Sequence, residues 1–196
     1  KTLTLVEQSE FALYEAEREL RAIHPDVDLR PRIADVCDAP RMRSIFEEAR
    51  PSVVLHAAAH KHVPMLERNV GEAIKNNLGG TITAVEASLA VGVEAFVLIS
   101  TDKAVNPSSV MGATKRAAEL YVQDIARKTP MRGLAVRFGN VLGSSGSVVP
   151  LFREQIARGG PVTVTHPDMR RYFMTIPEAC NLVLHAAALG AGAEIF

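Results

Sequence analysis

Apolar and polar positions follow two rhythms along this chain, and the rhythms take turns. Short, nearly continuous apolar runs such as LTLVE (3–7) and VEAFVLIS (93–100) give way to longer stretches with apolar residues every three or four positions. The first pattern suits strands covered on both faces; the second suits helices laid against them. Read this way, a strand at 3–7 leads into a helix over EFALYEAERELRAI (10–23), with Ser9 as its N-cap. An extended DLRPRIADV (28–36), a short helix APRMRSIFEEA (39–49) and a strand in PSVVLHAAA (51–59) come next. Helical periodicity runs from Glu67 to Val91, with Leu78, Ile82, Val85 and Leu89 on one face, and stops at Gly92. After the strand at 93–100 come a helix at 110–128, a strand in GLAVRFGNV (133–141) and a helix in SGSVVPLFREQIARGG (145–160) closed by two glycines. An extended PVTV (161–164) and a last helix from about Pro177 to Leu189 precede EIF at the end.

This alternation predicts an α/β fold, a Rossmann-type doubly wound parallel sheet with helices on both faces. Residues 1–139 are expected to form its dinucleotide-binding core, and 140–196 a small, partial substrate-binding region interleaved with it. Nothing matches G-x-G-x-x-G, and EIF reads as the start of a strand without continuation. The expectation is a fragment that lacks at least a first strand and its glycine loop.

Composition narrows the function. At 196 residues with 47% apolar content, one domain with a full core is expected. A formal net charge of zero and a pI near 7.2 leave no electrostatic footprint for nucleic acid or an anionic membrane surface. No apolar run has membrane-spanning length and the N-terminus lacks signal-peptide order, so a cytoplasmic setting is the expectation. Cys37 and Cys180 follow no ligand spacing and read as two free thiols. His56, His60 and His62 come without acidic or thiol ligands, so neutral, hydrogen-bonded histidines are expected and no metal.

Candidate chemistry gathers where an apolar strand ends. VEAFVLIS runs into Thr101, Asp102 and Lys103, and ligands of open parallel sheets bind beyond the carboxyl ends of strands. STDKAVNPSSVMGATK thus collects a hydroxyl, an acid, an amine and a helical lysine within sixteen residues. A polar loop of this kind is also common as plain solvated surface.

HAAAHKHVPMLERN, STDKAVNP, GATK, RFGNVLGSSGSVVPLF and HPDMRRYFMTIPEA, in that order, resemble the extended short-chain dehydrogenase/reductase superfamily, and within it the CapD-like nucleotide-sugar 4,6-dehydratases of bacterial polysaccharide biosynthesis. The resemblance spans VEQSEF to EIF. It implies a catalytic Thr-Tyr-Lys set at Thr101, Met111 and Lys115, with Asp102 and Lys103 as the elimination pair. Met111 departs from the tyrosine pattern, although some large members resemble this chain in carrying methionine there. A thioether is neither a proton donor nor a useful base, so another group must take the C4 hydroxyl proton. Lys115, one helical turn from Met111, is one candidate; Asp102 or Lys103 is the other and is favoured. Tyr121 lies too far along the helix to substitute. Lys103 would then draw the proton from C5 and Asp102 protonate the departing C6 hydroxyl.

The resemblance also implies a nicotinamide cofactor, NAD or NADP. Glu7, at the end of its strand, suits the adenosine ribose hydroxyls and leans the choice towards NAD. Asp35 and Val36 match adenine contacts, and Ala57, Ala58 and Ala59 the small residues beneath the cofactor. For a UDP-linked sugar, UDP-N-acetylglucosamine above all, Asn140, the helix start near Ser147, Arg171 and Lys61 are the candidate contacts. Phe138, Phe152, Tyr172 and Phe173 read as core or pocket walls. Two alternatives stay open, a nucleotide-sugar 4-epimerase and a non-catalytic nucleotide-binding or assembly module. Relatives pair through the counterparts of helices 67–91 and 110–128, which implies a homo-oligomer, and larger relatives carry an N-terminal membrane region that would tie the parent protein to the inner face of the cytoplasmic membrane.

Overall fold

A computed structural model describes residues 1–143, 148–164 and 166–196. Strand β1 (Thr2–Glu7), helix α1 (Glu10–Ile23), β2 (Asp28–Ile33), α2 (Ala39–Ala49) and β3 (Val53–His56) open the chain. Next come α3 (Val63–Glu67), α4 (Val70–Ala73), a π-helical turn (Ile74–Gly79), α5 (Gly80–Val91), β4 (Ala95–Thr101) and a 3₁₀ turn (Asp102–Ala104). Then follow α6 (Val110–Lys128), β5 (Arg132–Phe138), β6 (Asn140–Val141), α7 (Val148–Ala157), β7 (Phe173–Met174) and α8 (Ile176–Leu189).

All strand pairs are parallel, as the alternating pattern predicts. β4 is the central strand of a β3–β4–β5 ladder, and Ala95, Phe96, Val97 and Leu98 are fully buried. Burying a side chain of the size of Phe96 or Leu98 contributes about 2–3 kcal/mol. One face of that ladder is covered by α5 and α6, whose small residues Ala84, Ala87 and Ala118 allow close approach, and the other by α8 through Val183 and Ala186. Caps define the helix starts: Ser9, Asp38, Ser109 and Thr175 each accept a backbone N–H of the first turn, and Thr175 with Glu178 forms a reciprocal capping box.

The strands form separate ladders, β1–β2 and β3–β4–β5, and among the described residues no strand joins β1 to β3; Leu3, Val6, Val53 and Leu55 are exposed. Three departures from the sequence reading have physical causes. The helix expected from Glu67 to Val91 is broken into α3, α4, the π turn and α5. Asn77, fully buried within that turn, takes part in four side-chain hydrogen bonds, to His60, Asn76 and Thr114, which hold the widened turn in place. The strand expected over 51–59 ends at His56, so that Ala57 to Ala59 leave the ladder as loop. PVTV joins no ladder. EIF, in turn, does add to the sheet: Ile195 bridges Ala135 in parallel, and Phe196 N–H donates to the Ala135 carbonyl at 2.9 Å.

A candidate active site at the tip of the central strand

The carboxyl end of β4 turns sharply into the 3₁₀ turn, and that turn sets the first half of the site. Thr101 Oγ1 accepts the Lys103 backbone N–H at 3.3 Å and donates to Asp102 Oδ1 at 3.0 Å. Lys103 Nζ donates to the same Asp102 Oδ1 at 2.9 Å, so the three residues form one linked group. Both charged side chains remain more than a third exposed, 36% for Lys103 and 38% for Asp102, which leaves them open to a ligand. Burial pushes the Asp102 carboxyl up, but the hydrogen bond and charge of Lys103 with the Thr101 hydroxyl outweigh it and hold it below the usual value. Asp102 therefore rests as a carboxylate.

Helix α6 provides the second half. It approaches the turn closely because residue 112 is glycine: a Cβ there would lie 2.2 Å from the Lys103 carbonyl oxygen. Its first turn is held by Ser109 Oγ, which accepts Gly112 N–H at 3.1 Å, and by Glu67 of α3, which accepts Val110 N–H at 2.8 Å. Met111, only 3% exposed, packs with Leu66 and Ala73, joining α6 to α3 and α4. The sulfur side chain thus fills an apolar cluster.

Lys115 is 4% exposed, and among the described residues its Nζ has neither a hydrogen-bonding nor an ion-pair partner. Burial pulls its pKa down to about 8, against the pull of Glu119 one turn further on. His56, at the end of β3, feels Lys115 and is buried against Phe96, with ring centroids 5.7 Å apart. Its Nε2 lies 3.0 Å from Thr81 Oγ1, and that hydroxyl already donates to the Asn77 carbonyl at 2.7 Å. Thr81 can only accept, so His56 Nε2 carries the proton. Burial first, then Lys115, lowers the His56 pKa to about 3 and keeps the ring neutral. His60 and His62 are exposed.

The sequence reading missed four buried polar residues that hold these parts together. Asn77 donates to Thr114 Oγ1 at 3.1 Å and to the His60 carbonyl at 3.1 Å, linking α6 to the loop after β3. Thr81 fixes His56. Glu119, fully buried, accepts Ser100 Oγ at 2.5 Å, Arg137 Nε and Nη2 at 2.8 and 2.6 Å, and Arg116 Nη1 at 3.0 Å. Ser100 directly precedes Thr101. The adjacent amides of KNNLGG inside an apolar helical pattern, and an acid four residues beyond Lys115, were the available signals.

The residues assigned to a cofactor, Lys115 of α6 apart, lie at or beyond the carboxyl ends of β1, β2 and β3. Glu7 Oε1 accepts Ser9 N–H at 2.9 Å, and Asp35 Oδ1 accepts Cys37 N–H at 2.8 Å. Val36 fits over Gly80, where a Cβ would come within 2.5 Å of its Cγ1. Ala57 and Ala58 are exposed and Ala59 half-buried. Small residues after β3, an acid with one oxygen engaged by its own turn, and an orphaned buried ammonium suit a dinucleotide laid across the strand ends, with Lys115 beneath it.

The residues assigned to a substrate are less gathered. Asn140 is half-buried and pairs by its backbone with Tyr172, whose carbonyl accepts at 3.0 Å; Gly139 permits this approach, since a Cβ would meet that carbonyl at 2.7 Å. Lys61 lies exposed on the loop before α3, and Arg171 is exposed, its Nη1 donating to the Arg170 carbonyl at 2.8 Å. Ser147 falls outside the described residues. Phe138 and Phe152 are half-buried, whereas Tyr172 is 87% exposed and Phe173 is exposed too, so these two are not core here: neighbouring residues leave their rings uncovered.

A family model described as "Polysaccharide biosynthesis protein" matches residues 1–196. The "Capsular polysaccharide biosynthesis protein CapD" of Staphylococcus aureus is 52% identical over 196 residues, covering 99% of this chain and 33% of its own. A "UDP-N-acetylglucosamine 4,6-dehydratase (inverting)" of Campylobacter jejuni is 37% identical over 182 residues, 91% of this chain and 54% of that protein. The chain therefore spans less than two thirds of either relative. Proteins named UDP-glucose 4-epimerase match as well. Among solved structures, that of Pen from Bacillus thuringiensis superposes with a TM-score of 0.90 at 33% identity, over 98% of this chain and 59% of the other.

Proposed function

The chain belongs to the polysaccharide biosynthesis protein family, a CapD-like branch of the extended short-chain dehydrogenase/reductase superfamily, and on that footing we propose that it is the catalytic part of a nucleotide-sugar 4,6-dehydratase. The substrate is a UDP-linked N-acetylhexosamine, UDP-N-acetylglucosamine by preference, and the product its 4-keto-6-deoxy derivative. The Asp102–Lys103 pair at the tip of β4 carries this reading, because elimination of water needs a base and an acid side by side while epimerisation at C4 needs neither.

Glu7, Asp35, Val36, the Ala57–Ala59 loop and Lys115 would hold the cofactor, NAD or NADP with NAD favoured, which would supply reversible acceptance of a hydride. The chain's own residues manage the protons. Lys115, as a buried cation, would favour loss of the neighbouring hydroxyl proton. Thr101 orients the sugar C4 hydroxyl, whose proton passes through the Asp102 carboxylate to water as C4 is oxidised. Asp102 rests as carboxylate and Lys103 as ammonium, the reverse of what elimination requires. A proton crossing their 2.9 Å hydrogen bond, favoured when the sugar expels water, turns the pair into a neutral acid and a neutral amine. Lys103 then takes the C5 proton, and Asp102 gives its proton to the departing C6 oxygen; as the hydride is returned to C6, Lys103 gives a proton back to C5 and regains one from water, so both end in their resting charges. Asn140, Arg171, Lys61 and the helix start near Ser147 receive the UDP-sugar, and Met111 walls the site.

The test is product mass. Incubation of the purified protein with its cofactor and UDP-N-acetylglucosamine is expected to give a sugar nucleotide lighter by one water. Unchanged mass with an inverted C4 centre would select the epimerase reading, which the matching epimerases keep in view; binding without any conversion would select a non-catalytic module.

A further inference from the structure

The mechanism above leaves one fully buried, well-bonded side chain unused. Glu119 receives hydrogen bonds from Ser100, Arg116 and Arg137 and makes none with the strand-tip turn. Its Oε1 holds Ser100, the residue before Thr101; its two oxygens hold Arg137 of β5 in a forked pair, and Oε2 holds Arg116. It lies four residues, one helical turn, beyond Lys115 on α6. We propose that Glu119 is a positioning residue of this site: its carboxylate fixes the tip of β4 to the turn of α6 that carries Lys115, and its charge supports Lys115 as a cation.

Two observations support this beyond the bond list. Glu119 is fully buried, and a buried carboxylate is tolerated only when paired and hydrogen-bonded as this one is. Lys115 is buried without a direct partner; burial lowers its pKa, and the Glu119 charge one turn along α6 opposes that. The other charged groups on elements packed against α6 are already committed. Glu67 caps the first turn of α6, Glu72 pairs with Lys75, and Asp102 pairs with Lys103. His56 is a neutral ring facing Lys115, and Glu86 of α5 acts on Tyr121. Arg116 and Arg137 draw on Glu119 itself, so each tempers what Lys115 feels.

The experiment titrates Lys115 directly. The proposal rests on the reading of Lys115 as the cofactor-side cation, but its proton affinity is measured without substrate, so a failed dehydratase assay leaves the result standing. Protein labelled with ¹³C at the lysine ε carbons is titrated by NMR, with Lys115→Arg identifying the resonance. Glu119→Gln, which keeps the shape and removes the charge, is expected to lower the Lys115 midpoint by about one pH unit. Arg116→Gln, at a half-exposed position, is expected to raise it by freeing Glu119 from one counter-charge. An unchanged midpoint in a folded Glu119→Gln protein overturns the proposal. Should that variant not fold, the reciprocal measurement decides: Lys115→Met is expected to raise the Glu119 carboxyl midpoint, followed by NMR of ¹³C-labelled glutamate, and no movement refutes the proposal.

Discussion

The two halves of the candidate site are built differently. Around the tip of β4 and the first three turns of α6, every strand residue from Ala95 to Leu98 is fully buried, and polar side chains are tied by name to one another. Beyond Asn140 the chain is open: α7 has no fully buried residue among those described, and Tyr172, Arg171 and Phe173 face outward. The first region has to hold reacting groups in place against the cost of burying charge. Under the proposed function, the second admits a large, anionic substrate.

If this contrast is sound, damage in the first region should fall on chemistry and stability, and damage in the second on substrate affinity alone. The largest expected effect is on turnover: Asp102→Asn or Lys103→Ala lowers kcat for water loss by about 10³-fold with little change in melting temperature, measured by product mass against time. Lys115→Met comes next, and its effects on stability and activity have opposite signs. The folded-state pKa of Lys115, about 8, lies below the ordinary lysine value of 10.5, so the folded protein binds fewer protons between those values and is destabilised wherever Lys115 is charged. Stability therefore rises as pH climbs from about 8 towards 10.5, and at neutral pH replacing the ammonium by an apolar group gains about 3 kcal/mol. Denaturant unfolding of wild type and Lys115→Met across that range checks this; parallel curves would break the comparison.

Met111→Ala removes an apolar side chain from the cluster with Leu66 and Ala73, and about 2–3 kcal/mol of stability should go with it, while kcat falls less than in the Asp102 or Lys103 variants. A Met111 effect on kcat larger than theirs would mean that the thioether has a part in the reaction. The smallest effect on the protein itself is expected from Arg171→Ala, with unfolding changed by at most about 0.5 kcal/mol and KM for the UDP-sugar raised. A fall in kcat at unchanged KM would erase the contrast between the two regions.

Acid pH probes the ring beneath Lys115. Burial and Lys115 push the His56 pKa down to about 3 in the fold from the ordinary 6.5, so the unfolded chain binds more protons between them, and stability is lost as pH falls through that window. His56→Gln should flatten this part of the pH–stability curve.

The sequence by itself determined the order and type of most elements and pointed to the candidate site. A short unbroken apolar run fits a strand covered on both faces, and ligands of open parallel sheets bind beyond the carboxyl ends of strands, so Thr101, Asp102 and Lys103 were legible as candidates. Lys115 followed from the family resemblance, with helical spacing placing it one turn from Met111. What the tertiary structure decided was which polar side chains are buried. Glu119 and Asn77 read along the chain as ordinary polar positions of amphipathic helices. Only the approach of Ser100, Arg137, His60 and Thr114 from distant segments makes the first a buried anion and the second the anchor of a π turn. The same holds for Met111, whose role as filler depends on Leu66 and Ala73, and for the isolation of Lys115. Local periodicity reports which way a side chain points, but whether it meets a partner, a void or solvent depends on contacts between residues far apart in the chain.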